Sequence, residues 1–250
     1  MRFGLIGYGA WGQHHASAIA AAEGAQWTAI AAQREPSRAR ARRERPGAAV
    51  YADYREILAR ADIDAVDVVL PTHLHAEVGT AALASGKHVL LEKPMALTVE
   101  ECDRLIEAAR TSGKVLSIGH EFRLSSQWGA IKGLIERGEI GTPLYALVTL
   151  FRFPYRRGAE GWRYELAKVG SWILEEPIHF FDFVLWFFEQ FGDPVSVVAH
   201  GNSKGRIEGL YDHFTSIVKF RGGPYAVITQ CLGGFEHHQV VEIAGSGGAI

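Results

Sequence analysis

Gly7-Tyr8-Gly9-Ala10-Trp11-Gly12 carries the G-x-G-x-x-G spacing that brings main chain close to a phosphate. The chemistry on offer is anion binding. In a strand–turn–helix context the first glycine permits the tight turn, the second admits a pyrophosphate, and the third lets helix pack on strand. The helix N-terminus supplies unpaired N–H groups. The same spacing also describes a glycine-rich turn with no ligand, so the surrounding pattern decides. An acidic residue about twenty positions further on normally binds the ribose hydroxyls of NAD. Here the segment ends at Gln33-Arg34, and Glu35 comes a position or two late. Arg34, backed by Arg38 and Arg42, is a candidate guanidinium clamp for a 2′-phosphate. That reading predicts NADP(H) over NAD(H); the competing one has these arginines solvating a helix face.

Two further side chains can handle a proton. Lys93 follows an apolar run and is flanked by Glu92 and Pro94, which fix its direction at a strand's carboxyl end, where open α/β sheets bind ligands. His179 lies four residues after Glu175, a spacing that stacks both on one helical face and lets the carboxylate orient the imidazole. Pro177 disfavours helix at Glu176, which instead places Glu175 just outside the helix. An imidazole titrates near neutrality and an ammonium well above it, so His179 is the readier acceptor while Lys93 polarises an oxygen. Burial beside a cationic ring reverses those roles. The bland alternatives are a solvated lysine and a core histidine. His120 and Arg123 border the same region without separate roles. His14-His15, His73-x-His75 and His237-His238 complete no ligand set, and Cys102 and Cys231 are far apart, so no metal is expected.

The elements that must hold these residues follow from periodicity. Continuous apolar runs at 3–6, 27–32, 65–70, 88–91 and 115–118 read as strands buried on both faces. Helical patterns near 11–22, 37–45, 54–61, 75–84 and 99–112 separate them, giving a βαβ series. The expected class is α/β, an N-terminal Rossmann doubly wound parallel sheet over residues 1–120. Residues 121–250 predict a substrate-binding and oligomerisation α+β domain on a mostly antiparallel open sheet, joined by a tight hinge near 119–125. Its elements are helices near 126–136 and 177–191 and strands at 144–153, 195–201, 214–220, 225–231 and 240–244. One sheet face is expected under helices. Phe214, Ile217 and Val227 are assigned to the other, predicting a homo-oligomer, dimer or tetramer.

Across 250 residues, 26 Lys and Arg balance 28 Asp and Glu, so neither nucleic acid nor an anionic membrane is an expected partner. The start is strand-like with no secretory pattern, and the apolar stretch 178–191 is too short and too charged to cross a bilayer. The cytoplasm is the expected location.

With the glycine motif, Pro71-Thr72-His73-Leu74-His75 and Glu92-Lys93-Pro94, the chain resembles the Gfo/Idh/MocA oxidoreductases. Trp162-Arg163 and the segment from Gly170 to Asp182 resemble that family's W-R and G-G-G-x-L-x-D-x-G-x-H-x-x-D. Glu175 replaces the aspartate, Ser171 and Trp172 two glycines, and Pro177 the glycine before the histidine. The resemblance implies hydride transfer between a nicotinamide and a secondary alcohol or carbonyl of a sugar or polyol. It implies Lys93, His179 and Glu175 as the catalytic group, and Tyr8, Ala10, Trp11, Gln33, Pro71, Thr72, His75, Glu92, Trp162 and Arg163 near the cofactor. The alternatives are an inactive dinucleotide sensor or scaffold, and an NAD-dependent glycoside hydrolase. The end at 245–250 falls in a turn after which the family continues, so the chain is expected to be either a short variant or truncated.

Overall fold

Strand β1 (Arg2–Ile6) places Leu5 and Ile6 in the core because both faces of its sheet are covered, and the chain leaves it directly into the glycine turn. The structure, a computed structural model, describes residues 1–203 and 207–250. Two compact units divide the chain, Met1–Gly119 and His120–Ile250.

In the first unit β1 is followed by α1 (Ala10–Ala21), β2 (Gln26–Ala31), α2 (Glu35–Glu44), β3 (Ala49–Tyr51), α3 (Tyr54–Leu58), β4 (Ala65–Val68), α4 (His75–Ala84), β5 (His88–Glu92), α5 (Val99–Ser112) and β6 (Leu116–Gly119). The parallel sheet has the order β3-β2-β1-β4-β5-β6, the doubly wound arrangement expected, with β1 and β4 adjacent at the chain reversal. Strand β4 is buried along its whole length, Asp67 included. Strand β3 went unread in the sequence, since three residues are too few to display a period.

The second unit contains α6 (Ser126–Glu136), β7 (Pro143–Phe151), α7 (Leu166–Val169), α8 (Pro177–Phe187), β8 (Ser196–Asn202), β9 (His213–Lys219), β10 (Tyr225–Cys231) and β11 (His238–Gly245). Its sheet runs β11-β7-β10-β9-β8; β7 and β10 pair in parallel and the other neighbours antiparallel. Phe180, Phe183, Val184 and Phe187 of α8 pack on Val148, Leu150, Val218 and Ile228 of the sheet. Phe214 belongs to that covered face and is buried, whereas Ile217 is exposed and Val227 is half-buried on the opposite face. The sequence expectation that put all three together is therefore corrected: side chains alternate along a strand, so positions 214 and 217 cannot share a face. Among the described residues no helix is long and apolar enough to cross a membrane.

Candidate active site

The turn after β1 shows why its glycines are spaced as they are. Gly7 has φ +107°, and a Cβ there would lie 2.0 Å from the Val69 carbonyl oxygen; one on Gly12 would lie 2.1 Å from the Gly7 carbonyl oxygen. Both glycines are demanded by the chain's own packing. Gly9 is different: nothing lies within 4 Å of where its Cβ would be. It is the N-cap of α1, whose first turn has no acidic residue and no side-chain cap, so its N–H groups remain available to an anion. Open space before an uncapped helix start fits the pyrophosphate of a nicotinamide dinucleotide.

Tyr8 and Trp11, expected at the cofactor, also serve the turn itself. The buried Tyr8 donates its hydroxyl to Glu44 Oε2 at 3.0 Å, and burial raises its pKa. Trp11 Nε1 donates to Glu92 Oε1 at 3.1 Å. Beyond β2, Arg38 donates to the Ala32 carbonyl at 2.8 Å and to Glu35 at 2.8 Å, and Arg42 donates to the other Glu35 oxygen at 2.9 Å. Those bonds, Arg42 first, hold the Glu35 carboxyl below its ordinary range. Two of the three arginines offered as a phosphate clamp thus already face Glu35. Gln33 and Arg34 stand exposed beside them, Arg34 at the N-cap of α2.

Pro71 leads into a 3₁₀ turn, Thr72–Leu74, and the buried His75 begins α4. The His75 ring lies between two carbonyls, Nδ1 2.7 Å from Pro94 O and Nε2 2.8 Å from Leu70 O, so it staples the loops after β4 and β5 together. Burial lowers its pKa. The half-buried Lys93 follows Glu92 on the second of those loops.

Glu92 belongs to a buried cluster the sequence did not reveal. His15 on α1 places Nδ1 2.9 Å from Asp67 Oδ2 and Nε2 3.0 Å from Glu92 Oε1. Burial alone would lower the His15 pKa, but hydrogen bonds to Asp67 and Glu92 raise it to about 10. Burial pushes the Asp67 carboxyl up, while His15 and Lys93 hold Glu92 below its usual value against burial. In the sequence His15 stands out only as a neighbour of His14; among the described residues no group of three His, Cys, Asp or Glu is placed to hold a metal ion.

In the second unit, Trp162 and Arg163 lie on a 3₁₀ segment, Ala159–Tyr164. Arg163 Nε donates to Glu175 Oε2 at 2.5 Å, its guanidinium is 4.8 Å from the Trp162 ring, and its carbonyl accepts from Trp172 Nε1. The neighbouring Glu176 is paired with Arg152. Glu175 precedes α8, as the placement of Pro177 implied, rather than sharing a helical face with His179, and it accepts a bond from Arg163. A carboxylate beside His179 is that of Glu121, with Oε1 3.6 Å from Nε2. His179 itself is buried on α8, stacked on Phe122 at 4.4 Å and edge-on to His120 at 5.7 Å. Arg123 clamps Asp182, one turn along the same helix, with bonds of 2.7 and 2.8 Å. Only a fold joining residues 120–123 to α8 brings this group together, and no local spacing signals Glu121.

Residues 1–120 match the description of an oxidoreductase family with an NAD-binding Rossmann fold, and residues 128–250 match a GFO/IDH/MocA C-terminal domain. The chain is 35% identical to the 1,5-anhydro-D-fructose reductase of Ensifer adhaerens, over 68% of this chain and 51% of that protein. It is 30% identical to an inositol 2-dehydrogenase/D-chiro-inositol 3-dehydrogenase of Shouchella clausii, over 100% of this chain and 71% of that one. A probable dehydrogenase from Thermotoga maritima superposes with a TM-score of 0.88 at 27% identity, covering 100% of this chain and 74% of that structure. Against the first four curated relatives the chain spans about half their length or less, 42–51%.

Proposed function

The chain belongs to the Gfo/Idh/MocA oxidoreductase family, and from that membership we propose that it transfers a hydride between a nicotinamide dinucleotide and a secondary alcohol or carbonyl of a sugar or polyol. The observation that carries this reading is the Trp11–Glu92 hydrogen bond of 3.1 Å, which ties the dinucleotide turn to the residue next to Lys93. A proton-handling amine is thereby tethered to the element that would hold the cofactor.

The turn at Gly7, Gly9 and Gly12 and the α1 N-terminus would bind the pyrophosphate, with the loops carrying Pro71, Thr72 and Lys93 bordering the same sheet end. The nicotinamide, when bound, supplies the hydride acceptor or donor. Lys93 polarises the substrate oxygen and His179 takes or returns the hydroxyl proton, or the two exchange these roles. Glu121 and Phe122 hold the His179 ring, and Glu175, fixed by Arg163, contributes a carboxylate for substrate hydroxyls. Arg34 favours NADP(H), as the arginine whose place at the α2 N-cap lies nearest the strand end where a 2′-phosphate would be read. The second unit's open sheet face, with Leu147, Ile217, Val227 and Val240, joins copies of the chain into a homo-oligomer, and the protein works in the cytoplasm.

A panel of polyols, aldoses and ketoses assayed with both cofactors tests this, following the absorbance of reduced nicotinamide. Net reduction or oxidation with at least one member is the expected result. Tight cofactor binding with no turnover on the panel would indicate a sensor. Glycoside cleavage without net cofactor change would indicate a hydrolase.

A further inference from the structure

His15 stands outside every motif, yet it has both ring nitrogens on carboxylates, and both carboxylates are buried: Asp67 is 0% and Glu92 6% exposed. With Asp67 and Glu92 ionised, each only accepts hydrogen bonds, so both nitrogens carry protons and the ring is an imidazolium, in line with the rise of the His15 pKa to about 10. A neutral ring would turn a lone pair toward one of the two oxygens in a low-dielectric site, at high cost.

The Glu92 carboxylate is held from three sides. Trp11 and His15, one turn apart on α1, both contact Oε1. From β6, Gly119 leaves room for it: a Cβ there would lie 2.9 Å from Oε1 and 3.4 Å from Cδ. Asp67 anchors the other edge of His15 from the middle of β4. Elements α1 and β6 thus meet the Glu92 side chain at the end of β5, β4 reaches it through His15, and the residue after Glu92 is Lys93. A surface ion pair needs none of this construction.

We propose that His15 is a positioning residue: a fixed imidazolium that, with Trp11 and Gly119, sets the direction of Glu92 and through it the placement of the Lys93 amine relative to the dinucleotide turn. The proposal rests on the reading of Lys93 as a proton-handling group, but the placement itself is measurable without turnover. The two carboxylates divide the work. Asp67 keeps His15 charged; Glu92 transmits its position to the loop. Because Trp11 lies within the glycine motif, anything that shifts the start of α1 also acts on Glu92.

The test uses the whole chain and two independent perturbations. His15→Gln alone would leave Asp67 buried without its counter-charge and would cost stability, so it is combined with Asp67→Asn. Positions 15 and 67 are then neutral and hydrogen-bonded while Glu92 keeps Trp11 and the Lys93 charge, so the double variant melts above His15→Gln alone, and labelling is read well below its melting temperature. Gly119→Ala pushes on Glu92 from the opposite side and leaves His15 intact. The first readout is the rate at which Lys93 is acylated by a small amine-reactive ester, followed by mass spectrometry of its peptide, with other lysines as internal controls. The rate at Lys93 changes several-fold in both variants while the controls do not move. The second readout is kinetic: misplacing a reacting group by an ångström costs up to about 100-fold, so kcat falls by roughly 10- to 100-fold while KM and cofactor affinity hold. If no sugar or polyol is turned over, the proposed reaction fails but the labelling still decides the role of His15. Unchanged Lys93 labelling in either folded variant would overturn the proposal, as would full recovery of kcat in the double variant.

Discussion

Gly9→Ala separates what the glycine turn needs for folding from what it needs for a ligand. Gly9 adopts φ −77° and ψ −167°, an extended conformation open to any residue, and its added methyl would meet nothing within 4 Å. Two small stability effects oppose each other. Alanine is a poorer N-cap than glycine, by up to about 1 kcal/mol, and it restricts the unfolded chain by about 0.4–1 kcal/mol. The apoprotein's stability should therefore change by less than about 1 kcal/mol, a few degrees in Tm at most. Cofactor binding should respond very differently, because the methyl occupies the space through which a pyrophosphate reaches the first N–H groups of α1. Losing one or two charge-assisted hydrogen bonds, at about 1.5–3 kcal/mol each, weakens binding by roughly 10- to 10⁴-fold. Gly12→Ala is the contrast, since its Cβ would lie 2.1 Å from a carbonyl oxygen and must disturb β1 against α1. Differential scanning fluorimetry measures the stability and calorimetric titration the affinity for both dinucleotides. Wild-type affinity in Gly9→Ala would refute the placement of the pyrophosphate, and a large loss of stability would refute the claim that the space is free.

Arg34→Ala should weaken NADP(H) while sparing NAD(H); equal losses in titrations with the two cofactors would remove the phosphate clamp. Lys93→Met and His179→Ala should each lower kcat by about 10²- to 10⁴-fold with cofactor affinity nearly unchanged, checked by steady-state kinetics with a deuterated substrate to confirm that hydride transfer limits the rate. The His15 pKa, about 10 in the folded protein against about 6.5 in an unfolded chain, gives stability fully present below pH 6.5 and lost as pH rises through 10. Urea midpoints should accordingly drop between pH 7 and 10.5, and drop less in the His15→Gln/Asp67→Asn variant. Light scattering at micromolar concentration should give a multiple of the 27.5 kDa chain mass, and Ile217→Asp on the open sheet face should lower it toward one copy.

What the sequence disclosed and what it hid follow a physical division. The doubly wound order, α4, α5 and α6 and the glycine turn are set by local rules: apolar periodicity, Thr98 capping Glu101 N–H at the start of α5, and Gly113 ending it in the left-handed region. Local rules also settle the side of a strand on which a residue stands, and the misassignment of Phe214 came from grouping it with Ile217 against that alternation. Partnership between charged side chains is not local. Glu175 and His179 have a spacing that suggests one helical face, but Pro177 starts α8 after Glu175, and Arg163 comes to that carboxylate from another segment. Asp67 is the sharpest case. It lies inside a run read as continuously apolar and buried on both faces, where nothing local names a partner, and only the return of α1 over β4 and β5 gives it a cation in His15. A buried carboxylate without such a partner would cost several kcal/mol, so an acidic residue within a continuous apolar strand implies a cation elsewhere in the chain. The sequence leaves open which of its 26 lysines and arginines or 11 histidines that is. The fold answers with the histidine one turn beyond Trp11, which makes the dinucleotide turn, the buried ion cluster and the Lys93 loop parts of a single construction.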